Sequence, residues 1–317
     1  EKRKMRYCFG VDIGGTTVKL GLFKFDGEVV EKWEIKTRTE NHGVNILPDV
    51  ATTIKEHMRQ RELIKEDVLG VGVGIPAPVM ESGIVKATAN LGWGYKEVKH
   101  ELEELLEIEV KVGNDANVAA LGEMWKGGGQ GHRNMIMVTL GTGVGGGVIT
   151  NGRIMVGGHG AGGEIGHICV NYDETELCGC GKTGCLEQYA SATGIARLAR
   201  KRLKKNEDAS ILRDAAEEEI SAKTVFDAVK AGDKVAMEVA EEFGKYLGYA
   251  LSNLAVIVDP EVIVIGGGVS RAGEILLEYV TKYFMERVFF ANKECKFALA
   301  TLGNDAGIFG AAKLVLK

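Results

Sequence analysis

Two glycine-rich turns most constrain what this 317-residue chain can fold into. The segments Val11–Leu22 (VDIGGTTVKLGL) and Val138–Ile149 (VTLGTGVGGGVI) align without a gap at an offset of 127. Each passes from apolar residues through a small polar residue and a glycine-rich turn into more apolar residues, which reads as a β-hairpin. The same unit met twice about 130 residues apart points to a duplicated architecture with one hairpin per domain. Glycine supplies 44 of the 317 residues, about twice the usual ~7%. With no collagen period and no low-complexity tract, the surplus belongs in turns and close backbone approaches.

Between the turns the pattern predicts a helix over Leu47–Gln60, a strand over Val68–Ile75 ending in Pro76 and Pro78, and an acidic helix over Tyr95–Leu106. A strand, Glu109–Val112, then runs into Gly113-Asn114-Asp115, and a helical segment, Ala116–Trp125, leads to a plausible domain junction at Gly127–Gly129. Beyond the second turn the pattern predicts a helix over Glu187–Lys205, a charged connection and a long amphipathic helix from Val235 to about Val256. A strand, Val262–Ile265, meets Gly266-Gly267-Gly268 with Ser270 as a helix N-cap. A terminal helix, Asp305–Lys317, is expected to return to the first domain. Alternating strands and helices make the class α/β.

A net charge of −5 without a basic patch gives no electrostatic case for nucleic acid. No apolar run is long enough to span a membrane; the best, Leu254–Val269, is broken at Asp259-Pro260-Glu261. The opening apolar stretch stops at Asp12, too short for a signal peptide, so a cytoplasmic chain with reduced thiols is expected.

Three segments carry candidate chemistry. Backbone N–H groups in a glycine turn can converge on an anion. Beside such a turn, Asp12 suits Mg²⁺ or its waters and the Thr16 hydroxyl suits a phosphate oxygen. One such turn alone reads more readily as an ordinary hairpin; two in register favour polyphosphate. Asn114-Asp115 lies where a strand meets a helix, a place for an N-cap or for a carboxylate that takes a proton from an attacking hydroxyl. A pair of carboxylates for glycoside cleavage (Asp115 with Glu164 or Glu187) is conceivable but would leave both turns unused. Finally, Cys178, Cys180 and Cys185 fall within eight residues, with His167 eleven positions upstream. This closed ligand set suits structural Zn²⁺. Glu164, Glu187 and the rest of the His167 ring could then line a polyol pocket. Two lookalikes fail: Gly141–Gly146 matches a dinucleotide fingerprint but precedes a strand, and Gly181-Lys182-Thr183 lacks the P-loop's first glycine, since position 176 is Glu.

Taken together these motifs resemble the ROK family of repressors, open reading frames and sugar kinases, most of all its bacterial glucokinases, over Arg6–Lys317. DIGGTTVK (Asp12–Lys19) and LGTGVGGG (Leu140–Gly147) resemble its two phosphate motifs, and GNDANVAALGE (Gly113–Glu123) its catalytic segment. EIGH (Glu164–His167) with CGCGKTGCLE (Cys178–Glu187) resembles its zinc-and-sugar motif, and VIVIGGGVS (Val262–Ser270) its adenosine-side turn. The resemblance implies the actin-like, ribonuclease-H-like duplicated fold, with a small lobe of residues 1–118 plus 305–317 and a large lobe of residues 119–304. It implies ATP-dependent phosphorylation of glucose, or of a related hexose such as fructose, mannose or an N-acetylhexosamine. Asp115 is the implied catalytic base, and Asn90, Asn114, Asp115, Glu164, His167 and Glu187 the implied sugar contacts, with Gly74 through its backbone. ATP and Mg²⁺ fall to Asp12, Gly14, Gly15, Thr16 and Lys19, to Gly141, Thr142 and Gly143, and to Gly266, Gly267 and Gly268. Zn²⁺ falls to His167, Cys178, Cys180 and Cys185. Family repressors carry a DNA-binding domain ahead of the first turn; only eleven residues precede Asp12, so none is expected. A homodimer or homotetramer is what the family suggests.

Overall fold

A computed structural model describes residues 6–316. The expected ends of the small lobe, Glu1–Met5 and Lys317, lie outside the described residues. The chain divides into two compact units. The first runs to Gly131, takes in Gly147–Gly163 and resumes at Leu302; the second holds His132–Gly146 and Glu164–Thr301. This division differs from the expected one at residues 118 and 304, and in giving Gly147–Gly163, expected in the large lobe, to the first unit. A cut at 118 would split the helix Asp115–Lys126, which stays whole in the first unit because it packs along the helix Ala306–Val315.

In the first unit β1 (Tyr7–Ile13), β2 (Thr17–Lys24) and β3 (Val29–Lys36) form an antiparallel meander, and β4 (Val68–Ile75) joins β1 in parallel. A small ribbon follows, β5 (Ile84–Val85) with β6 (Lys96–Glu97), and β7 (Val110–Asn114) then pairs in parallel with β4. The sheet order is β3-β2-β1-β4-β7. One face buries Phe9, Val11, Leu20 and Val73 with Leu47, Val50 and Ile54 of the helix Ile46–Gln60. The other carries Cys8 and Phe23 against Ile308 and Ala312 of the C-terminal helix. That helix presses so close that a Cβ on Gly72 would stand 1.7 Å from the Ala311 carbonyl oxygen, so only glycine fits there. The terminal helix thus returns to the first unit as expected. The acidic helix starts late, at Val98, because Lys96 and Glu97 are taken by β6.

The second unit is built on β8 (Met135–Leu140), whose hairpin partner β9 (Val144–Thr150) starts here and runs on at Gly147 into the first unit, where β10 (Arg153–Ile154) pairs with it. β11 (Val262–Gly266) lies parallel to β8 and β12 (Lys296–Leu299) parallel to β11. The long helix, Lys234–Val258, is capped by Asp233, whose carboxylate accepts the Ala236 N–H at 2.9 Å, and buries Val239, Phe243, Leu247 and Leu251 on one stripe. A helix over Glu274–Arg287 packs on it. The expected helix Glu187–Lys205 is two helices, Glu187–Ala190 and Ala192–Lys205. Ser191 breaks it: its backbone is extended (ψ 167°), and its hydroxyl caps the second piece by accepting the Gly194 N–H at 2.9 Å. Ser270 is likewise no N-cap; it lies within a 3-10 turn, Gly268–Ala272, and its hydroxyl donates to the Gly267 carbonyl. Among the described residues no helix is long and apolar enough to cross a membrane.

Candidate active site

Both glycine turns are closed by a backbone hydrogen bond from the aligned glycine, spanning three residues in the first and two in the second. The Gly14 N–H donates to the Thr17 carbonyl at 3.0 Å, and the aligned Gly141 N–H donates to the Gly143 carbonyl at 3.0 Å. These two N–H groups hold the turns and are spent there, while Gly15, Thr16 and Thr142 at the tips are exposed. Thr37, which the motif reading missed, braces the first turn: its hydroxyl donates to the Gly14 carbonyl at 2.7 Å and its N–H to that of Thr16 at 2.9 Å. The second is braced by the start of the helix Ala192–Lys205. There the Ala192 N–H donates to the Gly141 carbonyl at 2.7 Å and the Thr193 hydroxyl to that of Thr142 at 2.6 Å.

In the first unit the sheet register sets one row across neighbouring strands: Lys19 and Gly74 both lie opposite Asp12, and Gly113 lies opposite Gly74. The row delivers Asn114 and Asp115 at the carboxyl end of β7, where open α/β sheets place ligand-facing side chains. Asn114 is the helix cap. Its Oδ1 accepts the Ala116 and Asn117 N–H groups, both at 3.1 Å, and its Nδ2 donates to the Ala77 carbonyl at 3.1 Å, which leaves one amide N–H. Asp115 is therefore released from capping and opens the helix, its Oδ1 accepting the Ala116 N–H at 2.7 Å. Burial, and then the Asp115 charge, raise the Asp12 carboxyl to about 6, with Lys19 acting against them. Two like charges so placed are what a divalent cation relieves. Asn90 is exposed and stands beside the first turn: a Cβ on Gly15 would lie 3.3 Å from its own. Asn117, buried one turn along from the cap, holds the loop ahead of Glu164 by donating to the Gly162 carbonyl at 3.3 Å.

In the second unit the donor atoms of His167, Cys178, Cys180 and Cys185 all lie within 4.8 Å of one another. The Cys180 and Cys185 sulfurs are 3.6 Å apart, and Cys178 Sγ is 3.9 Å from His167 Nδ1. A tetrahedral zinc with bonds of about 2.3 Å to sulfur needs a sulfur–sulfur edge of about 3.8 Å, so the cluster has the right size. The three cysteines and one histidine of this set are brought together as their spacing suggested. Glu187 ties the cluster to the second turn: its Oε2 accepts the Val144 N–H at 2.9 Å, and its Oε1 is 3.7 Å from Cys178 Sγ. Glu164 begins the short turn that carries His167, whose N–H donates to the Glu164 carbonyl at 3.2 Å.

At the end of β11, Gly267 has a φ of +84°, and a Cβ there would stand 2.4 Å from the Leu140 carbonyl oxygen. The turn it allows forms one wall of a cavity of about 360 Å³, lined also by Lys223, Phe226, Asp227, Lys230 and Arg271. None of these five was legible as a site residue. They sit on a helix, Ala222–Lys230, and a 3-10 turn that only the fold brings beside the glycines.

The fold is the duplicated α/β fold of the actin-like, ribonuclease-H-like class to which sugar kinases belong, as the family resemblance implied. A ROK glucokinase from Streptomyces griseus, solved with glucose and AMPPNP, superposes with a TM-score of 0.73 at 34% identity, over 97% of this chain and 98% of that one. The chain belongs to the ROK family, whose family model matches residues 8–317. It is 44% identical to a glucokinase of Halalkalibacterium halodurans, over 98% of this chain and 95% of the relative. It is 38% identical to a glucokinase of Thermotoga maritima, over 96% of each.

Proposed function

We propose that this protein is an ATP-dependent glucokinase that moves the γ-phosphoryl group of ATP to the 6-hydroxyl of glucose. The observation that carries the reading is the 44% identity to a glucokinase across nearly the full length of both chains. Asp115 takes the proton of the 6-hydroxyl and aligns its oxygen for in-line attack; Ala116 fixes the direction of its carboxylate. The loose transition state needs little covalent help, so most of the rate comes from positioning and electrostatics. The family resemblance gives the phosphates to the two turns, whose tips are exposed in their own units, and the cavity beside Gly267 in the second unit takes the nucleoside, with Phe226 as its aromatic wall. Asp12 would hold Mg²⁺ or its waters, which when bound neutralises phosphate charge. Lys19 is positioned across β1 and β2 to temper the same carboxylate.

His167, Cys178, Cys180 and Cys185 would hold Zn²⁺ as a scaffold: four protein ligands close its coordination, so it organises the loop and takes no part in the transfer. Glu164, Glu187, the ring of His167, Asn90 and the remaining amide N–H of Asn114 would then receive the sugar hydroxyls. A homodimer or homotetramer in the cytoplasm completes the reading, on the strength of the family resemblance. A coupled assay of ADP release across a hexose panel tests it. The highest kcat/KM is expected with glucose. A higher value with fructose, mannose or an N-acetylhexosamine would overturn the glucose assignment, and no ADP release with any hexose would overturn the kinase.

A further inference from the structure

Glu123 has a fully buried side chain near the end of the helix that Asp115 opens. Its two carboxylate oxygens hold two stretches of chain far apart in sequence. Oε2 accepts the Gly128 N–H at 2.8 Å and Oε1 accepts the Leu302 N–H at 2.9 Å. The Glu123 carbonyl also accepts the Gly127 and Gly129 N–H groups, each at 3.0 Å. Gly127 is glycine for the same reason: a Cβ there would lie 1.9 Å from Glu123 Oε2. Both stretches are places where the chain changes unit. It first leaves the first unit after Gly131 and re-enters it for the last time at Leu302, the crossings on either side of Gly147–Gly163 lying between.

An ionised carboxylate is among the costliest groups to bury, and charge-assisted bonds to backbone N–H groups are what offset the cost. Ending a helix does not require it, since backbone carbonyls and a glycine do that alone. What only a carboxylate offers is two acceptor oxygens and no donor, so it can take an N–H on each side. Glutamine would accept one and turn its own N–H₂ against the other.

We propose that Glu123 is a positioning residue for phosphoryl transfer: it fastens the outgoing and returning chain to the Asp115 helix, so that these two crossings and the catalytic carboxylate move as one piece. Hinge positions of this kind lie away from the chemistry and change kcat and KM together when altered. The proposal rests on the kinase reading for its kinetic consequence, but the fastening itself can be read without turnover.

The test uses the full chain with its zinc. In the wild type, amide hydrogen exchange should find the Gly128 and Leu302 N–H groups protected. In Glu123→Gln at least one should exchange faster by about tenfold or more, the factor expected for losing one charge-assisted hydrogen bond. In the same variant, well below its melting temperature, kcat should fall while KM for both glucose and ATP rises, lowering kcat/KM by about tenfold. Three results overturn the proposal: unprotected amides in the wild type; faster exchange in the variant with kinetics within about twofold of wild type; or lost stability with normal kcat and KM in the folded fraction. The wild-type exchange arm stands even if the variant fails to fold. A wild type inactive on every hexose overturns the kinase reading, and exchange then decides the fastening alone.

Discussion

Replacing Asp12 with asparagine should make the protein more stable at neutral pH while removing most of its turnover. The carboxyl is raised from 3.8 to about 6, by burial first and by Asp115 second. Between those two values the folded chain binds more protons than the unfolded one, so stability falls as pH rises through that window. Above about pH 6 the penalty is complete, and below about pH 4 it is gone. Each pH unit of the gap is worth about 1.4 kcal/mol, which puts the cost of the charged carboxylate at up to about 3 kcal/mol at pH 7.5. Asparagine keeps the shape and drops the charge. Urea unfolding of Mg²⁺-free protein should therefore show Asp12→Asn more stable by up to about 3 kcal/mol at pH 7.5, and by about half of that at pH 5. The same variant should lose activity because the charge that destabilises the apo fold is the one proposed to hold the metal, a common trade at functional sites. A variant less stable than wild type at pH 7.5, or a difference that does not change between the two pH values, would refute the reasoning.

Other outcomes follow from the same geometry. Asp115→Asn should lower kcat by about 10²–10⁴-fold with sugar affinity changed far less, since the base is lost and the contacts are kept; wild-type turnover would remove Asp115 from the mechanism. Cys180→Ala should release zinc and with it sugar binding, measured by metal analysis and glucose titration, because the metal orders the loop that carries His167; an active, zinc-free protein would end the scaffold reading. Gly267→Ala meets a φ of +84° and a carbonyl oxygen at 2.4 Å, and should cost about 1–3 kcal/mol or more in thermal unfolding while raising KM for ATP above that for glucose. An equal rise in both would detach this turn from the nucleotide.

β4 appears with its expected ends, because a continuous apolar run preceded by charged residues and stopped by prolines has few other fates, and the candidate metal ligands stand together because nearly all of them share one short loop. β3 escaped because it alternates charged residues along an exposed edge, and its glutamates and lysines look like loop surface. The pattern over Glu187–Lys205 predicts one helix because Ser191 fits a helical pattern, and only the fold shows its hydroxyl capping the helix that follows.

The sequence by itself determined the duplication, the turns, the ligand set and the family, since each depends on residues close together in the chain and on side-chain chemistry that position cannot change. The tertiary structure decided how roles are divided among those residues. It made Asn114 the cap and so released Asp115, it raised Asp12 by burial beside a like charge, and it set Phe226 and Arg271 around a cavity at Gly267. It also joined Glu123 to Leu302, 179 residues away. Such contacts leave no periodicity and no motif. They arise only when separate elements are packed to a few ångströms, where desolvation and hydrogen-bond direction decide what each group can do.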